Sequence, residues 1–216
     1  MPLKRVGVLI SGRGSNLRSL IRAAAARGFP AAITLVISNR ADAGGLLYAR
    51  KAGIPTAVIP HKDYPSRAAF DRALDAALKR AGIELVCLAG FMRLLTPGFV
   101  EKWRDRLLNI HPSLLPAFPG LDTHERALKA GVRFAGCTVH FVRAEMDTGP
   151  IVAQAAVPVM PGDTPGALAQ RVLRAEHLLY PMALKLVAGG KARVVGETVR
   201  IAGRQAPAGT LVNPKP

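Results

Sequence analysis

The sequence predicts an α/β protein: a mostly parallel, mixed sheet flanked by helices on both faces. Three observations predict it. Apolar strand-like runs alternate with amphipathic helical segments through the first half. Those runs are apolar throughout rather than at alternate positions, as strands covered on both faces are. In the second half, residues 135–142 and 151–159 are strand-like with no full helix between them, so they should pair antiparallel.

The elements follow in order. Residues 5–11 form an apolar strand that runs into Gly12. Leu17, Leu20, Ile21 and Ala24 then recur at helical spacing, up to Gly28 and Pro30. A second strand spans 33–37, a helix closed by Gly53 spans 43–52, and a third strand spans 54–59. An amphipathic helix over 66–81 places Phe70, Leu74, Ala77 and Leu78 on one face and stops at Gly82. A fourth strand (85–89), a short helix (97–103) and a fifth strand (107–110) complete the alternation. Thr164 caps a late helix with Pro165 at its first position. Leu168, Val172, Ala175, Leu179 and Met182 form the apolar face of that helix, and Pro181 should kink it. Residues 193–201 suit a small hairpin. The length of 216 residues suits one domain over 1–204. Residues 205–216, rich in Pro, Gly and Ala, are expected to be a disordered tail.

Composition narrows the class of function only a little. No apolar run approaches the ~20 residues of a membrane span, and the start lacks the pattern of a signal peptide. A cytoplasmic, membrane-free protein is the expectation. Cys87 and Cys137 sit in apolar strand-like runs without metal-ligand or CxxC spacing, so both read as reduced core residues. Thirty basic against fourteen acidic residues give a net charge of +16. Such a bias favours anionic partners, from nucleic acid to small phosphorylated or polycarboxylate molecules. It is equally met by a solvated basic surface. The charges are spread along the chain with few aromatics between them, which argues against a nucleic-acid stacking platform.

Between the first strand and first helix lies Ser11-Gly12-Arg13-Gly14-Ser15-Asn16. Glycines there allow close approach of a ligand, and the free N–H groups of a helix start suit a phosphate. A dinucleotide site would need a third glycine where Leu17 stands and a carboxylate after the second strand, where Ser38-Asn39-Arg40 stands. A nucleotide-hydrolysing loop would need a lysine that is not there. A phosphomonoester fits best, against the plain alternative of glycines kept only for the turn.

Asn109 and His111 end the fifth strand, and strand alternation puts both on one face. Pro112 holds His111 extended. Ligands in parallel sheets bind at the carboxyl ends of strands. Two donors converging there suit a developing oxyanion, although a lone histidine at such a place is more often structural. Asp147, on the turn Met146-Asp147-Thr148-Gly149-Pro150, would favour the cationic form of His111 if it reached it. Bonding to its own backbone is the commoner fate of such an aspartate. Spacing does not choose between them.

Four segments together resemble the glycinamide ribonucleotide formyltransferases, a branch of the folate-dependent formyltransferases. They are SGRGSNL from Ser11, FMRLL from Phe91, NIHPSLLPAFPG from Asn109 and MDTGPI from Met146. The SLLP segment belongs to the wider group and the GSN turn to this branch. The resemblance implies a Rossmann-like formyltransferase fold and transfer of a formyl group from 10-formyltetrahydrofolate, as co-substrate, to the amine of glycinamide ribonucleotide in purine biosynthesis. Gly14, Ser15 and Asn16 would hold the substrate phosphate and Glu176 the ribose. Asn109 and His111 would polarise the formyl oxygen, with Asp147 paired to His111 directly or through water and His140 nearby. Met92, Arg93, Leu94 and Leu95 would line the pterin pocket beside Asn109, and Arg67 would meet the carboxylate tail. Arg67 is otherwise an ordinary solvated arginine, and the apolar residues of that segment would also serve as plain core. The Leu115-Pro116 bond is expected to be cis. Asp122 stands where some relatives carry histidine, and Leu173, one turn before Glu176, cannot bond substrate; both affect secondary contacts. No metal is implied, because the formyl carbonyl is already activated by its aryl amine. Nucleic acid is not the expected partner, and monomer and homodimer stay open. The rival activities are formylation of initiator methionyl-tRNA and hydrolysis of formyltetrahydrofolate.

Overall fold

The computed structural model describes residues 2–203 and 209–213. Five strands, β1 (Lys4–Ile10), β2 (Ala31–Ser38), β3 (Thr56–Val58), β4 (Leu85–Leu88) and β5 (Leu107–His111), pair in parallel. Two more, β6 (Phe134–Phe141) and β7 (Ile151–Pro158), add antiparallel to β5 and to each other. The strand order is β3-β2-β1-β4-β5-β6-β7. The sheet is therefore mixed, as the paired runs of the second half predict. β8 (Ala192–Val195) and β9 (Thr198–Ile201) form the expected hairpin as a separate sheet.

The alternation of side chains along each strand supplies two cores. Val6, Val8 and Ile10 of β1 face one side, with Leu17 and Leu20 of α1 (Ser15–Ala24), Leu46 of α2 (Gly45–Lys51) and Leu168, Val172 and Leu184 of α6 (Pro165–Ala188). Leu9 faces the other, with Phe70, Leu74 and Leu78 of α3 (Arg67–Arg80) and Phe99 and Val100 of α4 (Pro97–Lys102). Gly7 lets α3 approach the bare β1 backbone, since a Cβ there would lie 2.8 Å from Leu78 Cδ2. Both cysteines are free and fully buried, and burial pushes each thiol up to about 12.

Two short elements carry no clear sequence signal: α5 (Thr123–Lys129) and a 3-10 turn over His61–Asp63. In α5 only Ala127 is an apolar side chain in the core, too little periodicity to recognise. α6 runs its full 24 residues through Pro181. Of the expected tail, Asn213 donates its side-chain N–H to the Arg133 carbonyl at 2.6 Å, while residues 205–208 and 214–216 lie outside the described residues. Among the described residues no helix is long and apolar enough to cross a membrane.

Candidate active site

The chain moves outward from β1 through β2 to β3, then returns to place β4 on the other side of β1. Ligands of open α/β sheets bind at such a reversal, outside the carboxyl ends of the strands. Here a cleft of about 530 Å³ opens between the turn after β1 and the segment after β4, lined by Gly12–Asn16 on one side and by Gly90, Met92 and Arg93 on the other. A second cavity, about 470 Å³ beside Lys4, Glu84 and Arg193, lies at the opposite end of the strands.

Gly14 is the residue before α1 and adopts φ 74°. A Cβ there would be strained by that φ and would fall 2.4 Å from the Gly45 Cα. The Gly45 N–H donates to the Gly12 carbonyl at 3.0 Å, so α2 begins directly against the turn. The first turn of α1 carries no acidic side chain, leaving its N–H groups and positive dipole end for an anion. Asn16 is turned inward: its Nδ2 donates to Glu176 Oε2 at 2.7 Å, and its buried Oδ1 has no donor. Burial raises the pKa of Glu176, and the bond from Asn16 opposes that shift.

Register lines up the second group. Leu9, Leu88, Asn109 and His140 lie side by side across β1, β4, β5 and β6. His140 Nδ1 meets the Phe141 carbonyl at 3.0 Å, which places its proton there and leaves Nε2 as an acceptor. Asn109 Nδ2 therefore donates to His140 Nε2, at 3.2 Å, and keeps a second N–H. Burial pushes His140 below the ordinary imidazole range, in keeping with a neutral ring.

His111 Nδ1 lies 3.5 Å from Asp147 Oδ2, and its Nε2 lies 3.1 Å from the Phe118 carbonyl. Both ring nitrogens thus face acceptors. Asp147 takes the left-handed conformation (φ 59°) and also accepts from the Gly120 N–H at 2.8 Å. Its Oδ1 is 3.8 Å from His140 Nε2. Gly149 makes this turn possible, because a Cβ there would lie 1.7 Å from the Phe141 carbonyl oxygen. The Leu115-Pro116 bond is cis.

The structure thus brings Asn109, His111, Asp147 and His140 together, and separately joins Asn16 to Glu176. Met92 and Arg93 share the cleft with Gly14, Ser15 and Asn16, whereas Leu94, Leu95 and Arg67 do not line it. Met92 and Leu94 are nonetheless 66% and 59% exposed, an apolar surface beside the cleft, and the Arg93 Nε is buried without a partner. Arg67 is exposed at the start of α3. Asp122 precedes α5 with φ 55° and makes no side-chain cap, and Leu173 is half-buried. Gly45 and the Phe118 carbonyl are site features that sequence reasoning missed. A GG pair at the start of α2 is the only signal for the first, and a main-chain oxygen leaves none. Among the described residues no group of three or more His, Cys, Asp or Glu could hold a metal ion.

A helix start suited to an anion and an amide–imidazole–carboxylate cluster lie along one carboxyl edge of the sheet, a layout suited to group transfer. The chain belongs to the formyl transferase family, whose sequence model matches residues 4–184. Within that family it belongs with the phosphoribosylglycinamide formyltransferases. It is 40% identical over 98% of its length to the phosphoribosylglycinamide formyltransferase of Haemophilus influenzae, covering 100% of that protein. It is 56% identical to part of the trifunctional purine biosynthetic protein adenosine-3 of Drosophila pseudoobscura pseudoobscura, over 91% of this chain but only 14% of that protein. The crystal structure of glycinamide ribonucleotide transformylase 1 from Symbiobacterium toebii superposes with a TM-score of 0.90 at 50% identity, covering 92% of this chain and 94% of that one.

Proposed function

We propose that the chain transfers the formyl group of 10-formyltetrahydrofolate to the amine of glycinamide ribonucleotide, a step of purine biosynthesis, with residues 1–204 acting as one formyltransferase domain. The observation that carries this reading is the cluster of Asn109, His111 and Asp147 at the carboxyl edge of the sheet, two strands from a helix start shaped for a phosphate. The folate supplies a formyl carbon whose carbonyl is already activated by an aryl amine.

The residues divide the work. Gly14, Ser15 and Asn16 hold the substrate phosphate by main-chain N–H groups, and Glu176 holds the ribose hydroxyls. Asn109 directs the N–H not engaged by His140 at the formyl oxygen. Protonated His111 donates beside it, exchanging the Phe118 carbonyl for that oxygen, while Asp147 pairs with the charged ring. The main chain of Met92–Leu95 meets the pterin, whose ring covers the exposed apolar side chains of that segment, and Arg67 meets the carboxylate tail. The partners are these two small molecules, in a cytoplasmic setting and without nucleic acid, for the protein as monomer or homodimer.

A formyl-transfer assay with glycinamide ribonucleotide, charged initiator tRNA and water as acceptors tests the reading; transfer to the ribonucleotide should dominate. Asn109→Ala and His111→Ala should each lower kcat by about 10²–10³ while phosphate-substrate binding persists. Near-normal kcat in either variant removes that residue from the mechanism.

A further inference from the structure

We infer that Ser11 and Asp71 are positioning residues that clamp the two ends of the loop Met92–Leu95, and that Asn39 and His61 set the first clamp through Ser11. The inference rests on the reading that this loop meets the pterin.

The first clamp is a directed relay. The Met92 N–H donates to Ser11 Oγ at 2.8 Å. The hydroxyl in turn donates its one hydrogen to Asn39 Oδ1 at 2.6 Å. Asn39 is thereby fixed with its NH₂ toward His61 Nδ1, at 3.1 Å, so that nitrogen accepts. In this arrangement each of the three bonds joins one donor to one acceptor. Ser11 and Asn39 are 6% and 4% exposed, so a broken link would leave a buried polar group unpaired.

The second clamp lies at the other end of the loop. Asp71 Oδ2 accepts from both the Thr96 N–H (2.7 Å) and its Oγ1–H (2.6 Å). Asp71 follows Phe70 on α3. The ring of Phe70 stacks on Phe91, which opens the loop, and meets His61 edge-on. α3 and the 3-10 turn therefore hold both ends of the loop by polar and aromatic contacts. The main-chain groups between the clamps are left to a ligand. A loop preset in this way presents its donors and acceptors without paying an ordering cost on binding.

Asp71 does not line the cleft, whereas Ser11, Asn39 and His61 do, so Asp71 gives the readout that general loss of structure would not reproduce. In Ser11→Ala and Asp71→Ala, KM for 10-formyltetrahydrofolate should rise about 3–10-fold, the loss of one hydrogen bond. In Asp71→Ala, KM for glycinamide ribonucleotide and kcat should stay within about twofold. Asp71→Asn, which keeps an acceptor oxygen, should recover most of the second effect. Amide hydrogen exchange should speed up at Met92 in Ser11→Ala and at Thr96 in Asp71→Ala. His61→Ala, at a half-buried site, should give a smaller rise in folate KM and keeps the test decisive if Ser11→Ala does not fold. Unchanged folate KM in either Ser11→Ala or Asp71→Ala, or an equal rise in both KM values in Asp71→Ala, overturns the inference while a transferring wild type leaves the functional reading standing. A wild type with no folate-dependent transfer overturns both.

Discussion

Glu176→Gln should stabilise the protein while weakening substrate binding. Asn16 and Glu176 are 8% and 6% exposed, with one bond between them and the Asn16 Oδ1 left unsatisfied. A carboxylate offers only acceptors, so it cannot supply the missing donor. A glutamine can accept from Asn16 Nδ2 with its oxygen and donate to Asn16 Oδ1 with its nitrogen. Relieving one orphaned buried acceptor is worth about 1–2 kcal/mol, or roughly 2–8 °C in Tm for a chain of this size. The pH dependence follows from the raised pKa of Glu176. Between its unfolded and folded values the native state binds more protons, so this group's contribution is present at low pH and is lost as pH rises through the folded value. The variant should lack that component. On the proposed function, KM for glycinamide ribonucleotide should rise roughly 5–10-fold, because a neutral acceptor replaces a charged one. Thermal and urea denaturation from pH 4.5 to 8 would measure the first effect and steady-state kinetics the second. A Glu176→Gln variant less stable than wild type at pH 7, with the same pH slope, would refute the reasoning.

Three further outcomes are expected. Gly14→Ala should cost about 1–3 kcal/mol through its positive φ and its collision with Gly45, and should abolish calorimetric binding of a phosphomonoester. Tyr180→Phe removes a buried hydroxyl that reaches the Leu88 and Leu108 carbonyls, each at 3.1 Å. It should lower the urea midpoint by the equivalent of about 1 kcal/mol with an unchanged m-value. Cys87 and Cys137, held up to about 12 by burial, should resist iodoacetamide at pH 8 in the folded protein and react in urea; rapid labelling of the native state would contradict their burial.

The sequence makes the sheet legible because its strands are unbroken apolar runs, and β1, β4 and β5 lie close to their predicted bounds. Asn109 and His111 were recoverable from strand alternation, and Gly14 from its place between strand and helix. The contacts that turn those residues into a site were not. The Asn16–Glu176 bond spans 160 positions and the Met92–Ser11 bond 81, distances at which hydrophobic periodicity carries no information. The partner of His111 Nε2 is a main-chain carbonyl, which any residue at position 118 would supply. For Asp147, spacing allowed either a local turn bond or a reach to His111; its left-handed backbone and the bare Gly149 allow the reach.

The contact between Gly14 and Gly45 ties two parts of the molecule that look independent in the chain. Main chain rests on main chain there, with no side chain between them to act as a spacer. A change of backbone angle at the anion turn must therefore displace the start of α2, and a larger residue opening α2 must press on the turn. Attempts to enlarge this end of the cleft would have to redesign both segments together, since neither has slack of its own.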